Sequence, residues 1–204
     1  GFKKCLEEAQ KLSKEKNGFL SNQFANTDNL LAHYETTGDE IINQLPEKVS
    51  AFISGVGTGG TLIGVGRKLI KWDENIKIVA LEPEKMPIIS KNKIISQHKI
   101  EGIGDDFVPD LLDKTMLDEV ILVNDDDAIN MSRRLAKELG IGVGISSGAN
   151  FIAGIMYQEK VNKPVVTVFA DDNKKYLSTD LSKEIDNNID FKSNQIKLLD
   201  YEVI

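Results

Sequence analysis

The chain has 204 residues, 41% of them hydrophobic, which suits one large globular domain or one domain and part of another. Its formal net charge of −7 comes without a basic stripe, which argues against nucleic acid as a partner. No apolar stretch approaches the roughly 20 residues that a transmembrane helix needs, so we expect no membrane association. Two histidines, far apart in the sequence, do not suggest a metal site.

The N-terminal pattern predicts a helix that carries the single cysteine. Apolar residues recur at helical spacing over residues 2–12, and Gly18 supplies a stop. Cys5 lies on this amphipathic pattern, so we expect a buried or half-buried thiol. One cysteine excludes an internal disulfide and indicates a reducing compartment, which predicts a cytoplasmic protein. The chain opens at Gly1 with neither an initiator methionine nor a signal sequence, so we expect part of a longer or processed protein.

Strands and helices alternate along the middle of the chain, after two helical pieces that end before Pro46. The predicted order is strand 49–54, helix 58–72, strand 76–82, an irregular stretch 83–110, strand 119–123, a helix capped by Asp125 and running to Gly140, a Gly/Ser loop 142–148, helix 149–160 and strand 165–169. Strands that are apolar throughout and alternate with helices predict an α/β fold with a parallel sheet covered on both faces. Ligands bind such sheets beyond the carboxyl ends of the strands.

A glycine-rich loop follows the first of these strands. Gly55, Gly57 and Gly60 fit the spacing of a dinucleotide fingerprint, and Glu82 lies near where an acidic ribose ligand is sought. A tight strand-to-helix turn would need glycine only for its backbone angles. Three glycines and two threonines over residues 57–61 favour an anion site at a helix N-terminus. Glu82 fits the dinucleotide interpretation poorly, because Pro83 follows it at once. The loop alone predicts a phosphate site and does not identify the kind of phosphate.

A second loop, Gly-Ile-Ser-Ser-Gly-Ala-Asn over residues 144–150, also enters a helix. Together with the Gly-Thr-Gly-Gly-Thr loop it resembles the cysteine synthase and cystathionine β-synthase family, whose members use pyridoxal phosphate and have the tryptophan-synthase-β-like fold. Three further segments agree with this resemblance. They are residues 22–38, the Glu-Gly-Ile-Gly segment 101–104 and the segment 171–179. The resemblance covers residues 1 to about 181.

The resemblance implies a set of site residues. Those expected to bind the cofactor are Gly57, Thr58, Gly59, Gly60 and Thr61 at the phosphate and Ser146 at the pyridine nitrogen. Those expected to bind the substrate are Gln23, Phe24, Gly102, Ile103 and Gly104. Because they agree in chain order, these motifs are more specific together than any one of them. A plain capping role for the serines at the helix start is the simpler alternative.

The sequence also departs from the family pattern. Thr27 and Ala170 stand where the family usually has proline, and Asp105 stands where many cysteine synthases have a small residue. The family's Schiff-base lysine and its Thr-Ser-Gly-Asn substrate loop lie upstream of the segment that matches Gly1, and neither occurs here. We therefore expect residues 1–30 to belong to the smaller N-terminal domain, 31–181 to form the large cofactor-binding domain and 182–204 to form a C-terminal tail.

The implied chemistry follows from a hydroxyl at the pyridine nitrogen. Ser146 does not force that nitrogen to stay protonated, as an aspartate would, so the cofactor is a weaker electron sink. This favours β-elimination and β-replacement, through α-aminoacrylate, over transamination or racemisation. Asp105 is the candidate catalytic residue, since a carboxylate can activate water for attack at Cβ. That role would make the complete enzyme a hydrogen-sulfide-releasing cysteine lyase. The plain alternative is that Asp105 and Asp106 are solvated loop residues without a catalytic role.

Other functions stay open at the level of the sequence. One is an NAD-binding domain built on the first glycine loop. Another is a non-catalytic piece that acts by binding. The resemblance further implies a homodimer, small amino-acid substrates and serine acetyltransferase as a partner. We interpret His33 as structural and expect His98, in the irregular stretch, to be exposed.

Overall fold

A parallel sheet lies at the centre of the fold and confirms the α/β prediction. In this computed structural model, which describes residues 2–45, 47–183 and 190–203, the sheet order is β3-β2-β1-β4 with every neighbouring pair parallel. The strands are β1 (Ala51–Gly55), β2 (Lys77–Pro83), β3 (Glu119–Val123) and β4 (Val165–Thr167). Their carboxyl ends meet at one edge, which places the loops that follow β1, β2 and β4 beside one another.

Helices cover both faces of this sheet. They are α1 (Phe2–Lys16), α2 (Asp28–Glu35), α3 (Thr37–Gln44), α4 (Gly60–Trp72), α5 (Ile88–Lys91), α6 (Asp125–Leu139), α7 (Ile145–Val161) and α8 (Lys192–Gln195), with short 3-10 turns at Lys114–Met116, Asn173–Tyr176 and Asp180–Ser182. Helices α6 and α7 enclose one apolar cluster with the sheet, and α2 and α4 enclose another on the opposite face. Burial of both sheet faces explains why the strand residues are apolar without alternation.

Several predicted boundaries are wrong in an informative way. The fourth strand ends at Thr167 instead of residue 169, since its carboxyl end opens into the loop that carries Asp171. Helix α7 begins at Ile145, so most of the predicted Gly/Ser loop is its first turn. The cap of α6 is Asn124, whose side chain accepts from the N–H groups of Asp126 and Asp127. Asp125, the predicted cap, is instead the first helical residue and is fully buried.

The N-terminal helix corrects a second expectation. Helix α1 spans the predicted segment, and Gly18 closes its end by donating to the carbonyl of Ser13 at 2.9 Å. Cys5, however, is exposed, because the helix packs little of its surface against the described chain. In the described residues, no helix combines the length and the apolar character needed to cross a membrane. The division into residues 1–30, 31–181 and 182–204 stays a prediction.

Candidate active site

A cleft of about 240 Å³ opens at the carboxyl edge of the sheet. It lies between the loop after β1, the segment 101–103, the start of α7 and the loop after β4. The lining residues are Ser54, Gly55, Gly57, Thr58, Gly59, Thr61, Glu101, Gly102, Ile103, Ser146, Asn150, Val168, Ala170, Asp171 and Tyr176. Two loops predicted to bind one cofactor, about ninety residues apart in the sequence, therefore line the same cleft.

The glycine-rich loop presents hydrogen-bond donors at the start of α4. The first N–H groups of a helix have no acceptor within the helix, and the helix dipole favours an anion there. The hydroxyl of Thr58 accepts from the N–H of Gly60 at 3.1 Å and from the side-chain amide of Asn29 at 3.0 Å. Both of its lone pairs are thus used, and its own proton is free to point into the cleft. Gly59 supports the turn with φ of 86°, which favours glycine.

A histidine supports the second threonine of the loop. The imidazole of His33 bridges two hydroxyls, with Nε2 3.1 Å from Thr61 and Nδ1 3.0 Å from Thr37. Burial lowers the pKa of His33, which favours the neutral ring. A neutral imidazole has one donor and one acceptor, and this pair of hydroxyls uses both. His33 therefore holds Thr61 in place, in agreement with its interpretation as a structural residue.

The backbone of the segment 102–104 packs directly against the backbone of the glycine-rich loop. A Cβ on Gly57 would come within 2.5 Å of the carbonyl oxygen of Gly102. The N–H of Gly104 donates to the carbonyl of Val56 at 3.0 Å. Gly102 and Gly104 have φ of 88° and 75°, a region that favours glycine. These contacts keep the two predicted binding segments in fixed register.

Ser146 lies in the first turn of α7 and lines the cleft, while Ser147 is fully buried beside it. The residue before the helix is Gly144, and no side chain caps this helix end. The simple capping role for the serines is therefore wrong. One turn further, Asn150 accepts from the N–H of Gly55 at 2.8 Å and donates to the carbonyl of Val168 at 2.8 Å. This amide ties α7 to the ends of β1 and β4 and so fixes Ser146 relative to the glycine-rich loop.

Asp105 follows the segment 102–104 and is half-buried. Burial raises the pKa of its carboxyl, repulsion from Asp106 raises it further, and the ring of His98 lowers it. The expectation that His98 is exposed is wrong. Its side chain is half-buried, with Nε2 2.7 Å from the carbonyl oxygen of Gly104. Gly102 and Ile103 line the cleft, whereas Gly104 and Asp105 follow them in the chain and are not among the lining residues.

The two predicted substrate residues from the N-terminal part lie away from the cleft lining. The backbone carbonyl of Gln23 accepts from the amide of Asn29 at 2.9 Å, and the Gln23 side chain is exposed. The ring of Phe24 is buried, with its centroid 5.1 Å from that of Phe107. Neither side chain lines the cleft within the described residues. A substrate role for Gln23 and Phe24 therefore stays a prediction.

The structure also bears on the dinucleotide alternative. Glu82 is buried, and its carboxylate accepts from the N–H groups of Ile89 at 2.7 Å and Ser90 at 3.1 Å and from the Ser90 hydroxyl. The carboxylate thus binds the N–H groups at the start of α5, and these bonds occupy both of its oxygens. It is therefore not available to a ribose hydroxyl.

Sequence reasoning missed three residues that shape the cleft. Asn29 and Asn150 act through side-chain amides from distant segments, and Asp171 accepts from the hydroxyl of Tyr176 at 2.6 Å. Burial, followed by that hydrogen bond, raises the pKa of Tyr176. The second carboxylate oxygen of Asp171 is buried without a hydrogen-bond partner among the described residues. Asn150 stands at the end of the segment 144–150, whereas no glycine motif adjoins Asn29 in the sequence.

These features fit pyridoxal phosphate. The donors at the start of α4 suit its phosphate, and the absence of a Cβ at Gly102 leaves open space beside the backbone. Ser146, which lines the cleft from the first turn of α7, has a hydroxyl that suits a ring nitrogen. Thr58, Thr61 and Ser146 would then hold the two ends of one molecule.

Comparisons with known proteins find cysteine synthases among the relatives of this chain. Cysteine synthase B of Campylobacter jejuni is 43% identical over 183 residues, which cover 89% of this chain and 60% of that protein. Cysteine synthase of Staphylococcus aureus is 44% identical, over 88% of this chain and 59% of the relative. The chain thus spans about three fifths of the length of the curated relatives it matches.

Solved structures with the same fold point the same way. A hydrogen sulfide-producing enzyme (Fn1055) of Fusobacterium nucleatum superposes with a TM-score of 0.88 at 45% identity, over 92% of this chain and 58% of that one. O-acetyl serine sulfhydrylase isoform 3 of Entamoeba histolytica gives 0.84 at 38% identity, over 93% and 57%. The resemblance predicted from the sequence is confirmed, and since residues 1–171 match the pyridoxal-phosphate dependent enzyme family, the chain belongs to that family.

Proposed function

We propose that the complete protein catalyses β-elimination and β-replacement on serine- or cysteine-type amino acids with pyridoxal phosphate. The observation that carries this proposal is the Ser146 hydroxyl, which faces the cleft from α7 while the glycine-rich loop faces it from α4. Pyridoxal phosphate, when bound, withdraws the electrons that proton loss leaves on the substrate Cα. The names of the relatives, cysteine synthase and O-acetyl serine sulfhydrylase, support the same class of reaction.

The choice of reaction depends on what Ser146 can offer. A serine hydroxyl accepts or donates one hydrogen bond and carries no charge, whereas a carboxylate would stabilise a protonated ring nitrogen. Ser146 is buried, so bulk water does little to solvate a protonated nitrogen beside it. A neutral nitrogen weakens electron withdrawal, and expulsion of a β-substituent then competes well against reprotonation elsewhere. The side chain thereby favours loss of a leaving group from Cβ.

The other residues of the cleft bind and orient. Donors at the start of α4, with Thr58 and Thr61, hold the phosphate, and His33 and Asn29 keep those hydroxyls in place. The backbone of residues 102–103 forms the wall beside the substrate. Among the lining residues, which all lie in the described ranges, there is no lysine. We propose that the lysine that binds the cofactor lies in the upstream segment implied by the relatives.

The test uses the full-length holoenzyme with O-acetylserine and sulfide. Formation of cysteine and acetate in equal amounts supports the proposal. The reaction balances, because sulfide replaces acetate at Cβ and the amino and carboxyl groups are retained. If the enzyme instead racemises the amino acid or converts it to a keto acid that keeps the β-substituent, the proposal is rejected.

A second candidate function rests on Asp105. Its side chain is half-buried directly after the cleft-lining residues 102–103, and burial raises the pKa of its carboxyl. A carboxylate with a raised pKa is a better base than an ordinary aspartate and suits activation of water. We propose that the enzyme also converts cysteine and water to serine and hydrogen sulfide. One relative is a hydrogen sulfide-producing enzyme, and an aspartate-to-asparagine variant of it holds α-aminoacrylate.

An Asp105→Asn variant separates the two candidates. We expect the variant to form serine from cysteine at least about tenfold more slowly, because the base is lost. Replacement by sulfide needs no base, so cysteine formation from O-acetylserine should stay within about twofold. Serine formation at the parent rate would show that Asp105 has no such role and would leave an ordinary cysteine synthase. A homodimer, a cytoplasmic location and binding of serine acetyltransferase remain proposals based on the resemblance.

A further inference from the structure

His98 is hydrogen-bonded to the peptide that leads into Asp105. Its Nε2 is 2.7 Å from the carbonyl oxygen of Gly104. A carbonyl oxygen can only accept, so Nε2 carries a proton and donates it. The other nitrogen, Nδ1, is buried without a hydrogen-bond partner among the described residues. The hydrogen bond from Nε2 to this carbonyl is therefore the contact that the ring makes with the segment 102–104.

Gly104 has little freedom once this bond is made. Its N–H donates to Val56 at 3.0 Å, and its φ of 75° lies in the region that favours glycine. A Cβ at this position would come within 2.6 Å of the ring of Pro83 and 3.0 Å of Nε2 of His98. Both polar groups of Gly104 are thus bonded, which sets the orientation of the peptide plane that precedes Asp105.

His98 is itself anchored to a rigid part of the fold. The N–H of the next residue, Lys99, donates to the carboxylate of Asp125 at 3.0 Å. Asp125 is fully buried at the start of α6 and also pairs with Lys85 at 2.9 Å. The side chain of Lys99 adds ion pairs to Asp126 at 3.0 Å and Asp180 at 2.9 Å. The backbone at residues 98–99 is therefore fixed to the start of α6.

We propose that His98 is a positioning residue, which orients Asp105 through the carbonyl of Gly104. The hydrogen bond fixes the segment 102–105 relative to the start of α6. This inference rests on the second candidate function for its catalytic consequence. Asp105 and the wall residues Gly102 and Ile103 share one short segment, and His98 provides a bond to that segment from outside the cleft. Without it, the Gly104 carbonyl is left unpaired and the carboxylate loses a fixed approach to the substrate.

The test compares three variants of the full-length holoenzyme. His98→Leu removes the donor, whereas His98→Gln places an amide N–H at a similar reach. Gln97→Leu is the matched control, because Gln97 is exposed in the same segment and receives the same replacement. With cysteine as substrate, we expect His98→Leu to lower kcat for serine formation about tenfold, as small misplacements of a reacting group do, with KM within about twofold. His98→Gln should recover most of that loss, and Gln97→Leu should match the parent.

Hydrogen exchange supplies a readout that does not depend on turnover. His98→Leu should speed exchange in peptides that cover residues 102–106 and leave those of α3 unchanged, and His98→Gln should restore protection. Parental exchange in His98→Leu, or failure of His98→Gln to restore it, overturns the positioning role. If the parent makes no serine from cysteine, the second candidate function fails, while the exchange data still decide whether His98 holds the segment. If exchange changes as expected but serine formation does not, His98 holds the loop without affecting Asp105, and the proposal is rejected.

Discussion

Gly57 and Gly102 approach so closely that a Cβ on Gly57 would lie 2.5 Å from the carbonyl oxygen of Gly102. The obstacle is backbone, which cannot turn aside as a flexible side chain does. Gly57 belongs to the glycine-rich loop at the start of α4, and Gly102 belongs to the wall of the same cleft. This contact makes the position of one binding segment depend on the position of the other.

Replacing Gly57 by alanine should therefore weaken cofactor binding. The added methyl group forces the two loops apart, and a shift of about 1 Å is enough to spoil the hydrogen bonds to a phosphate. We expect an at least tenfold rise in the Kd for pyridoxal phosphate, measured by its absorbance band during titration of the apo-enzyme. Gly154→Ala is the control, because Gly154 lies within α7, where alanine suits a helix, and a Cβ there would meet its nearest neighbour, the side chain of Thr167, at 3.9 Å. An unchanged Kd in Gly57→Ala would mean that the two loops move apart without weakening the binding of pyridoxal phosphate.

The parallel sheet and the first cleft loop could be predicted because their signals are local. Apolar runs and glycine spacing reflect burial and backbone geometry near the residue itself. Cys5 was placed wrongly because its burial depends on what α1 packs against, and His98 because its partner, Gly104, lies in an irregular segment. The cap of α6 was shifted by one residue, since Asn124 and Asp125 are both good caps by type.

The support of the cleft was harder to foresee than the cleft itself. Asn29 reaches Thr58 and Asn150 reaches Gly55, each from a segment far along the chain. Nothing in the local pattern of an asparagine tells which backbone group or hydroxyl it will meet. The fold decides this, so the motifs were predicted and the residues that hold them were found in the structure.

Changing Ser146 to aspartate should alter the course of the reaction. A carboxylate beside the ring nitrogen favours its protonated form and strengthens electron withdrawal, so reprotonation at Cα gains on expulsion of the β-substituent. We expect cysteine formation from O-acetylserine to fall at least tenfold, a barrier change of about 1.4 kcal/mol, while alanine exchanges its Cα proton with deuterated water faster than in the parent.

Ser146→Ala is the companion variant, since it removes the hydroxyl without adding charge. It should slow both reactions and should not speed exchange. If the aspartate variant retains the parent ratio of the two reactions, the ring nitrogen does not face this residue.

The acid side of the pH profile should report on Asp105. Burial and repulsion from Asp106 raise its pKa, so the carboxylate takes up a proton at a higher pH than an ordinary aspartate does. A base must be deprotonated, and serine formation from cysteine should therefore fall as the pH is lowered through that raised pKa. Asp106→Asn removes the repulsion from a neighbouring charge and should move this fall to lower pH. In Asp105→Asn the residual rate should lack the fall, and an identical profile in that variant would assign it to another group.

The last prediction concerns how the C-terminal segment is held. The buried carboxylate of Asp127 accepts from the backbone N–H groups of Lys192 and Ser193, both at 2.9 Å. The same Lys192 also pairs through its ammonium with the exposed Glu159 at 2.7 Å. The two contacts act on one residue but differ in burial. Asp127→Ala leaves two N–H groups unpaired and should cost about 1–3 kcal/mol, whereas Glu159→Ala removes a surface pair worth less than about 1 kcal/mol.

We expect Asp127→Ala to lower the midpoint of urea unfolding and to expose residues 190–203 to limited proteolysis. Phe191 and Ile196, which are buried on either side of the anchored residues, would then leave their positions against the core. Glu159→Ala should show neither effect. Equal behaviour of the two variants would contradict this view, because it would mean that the segment is held by its apolar contacts and that the buried carboxylate adds nothing to its attachment.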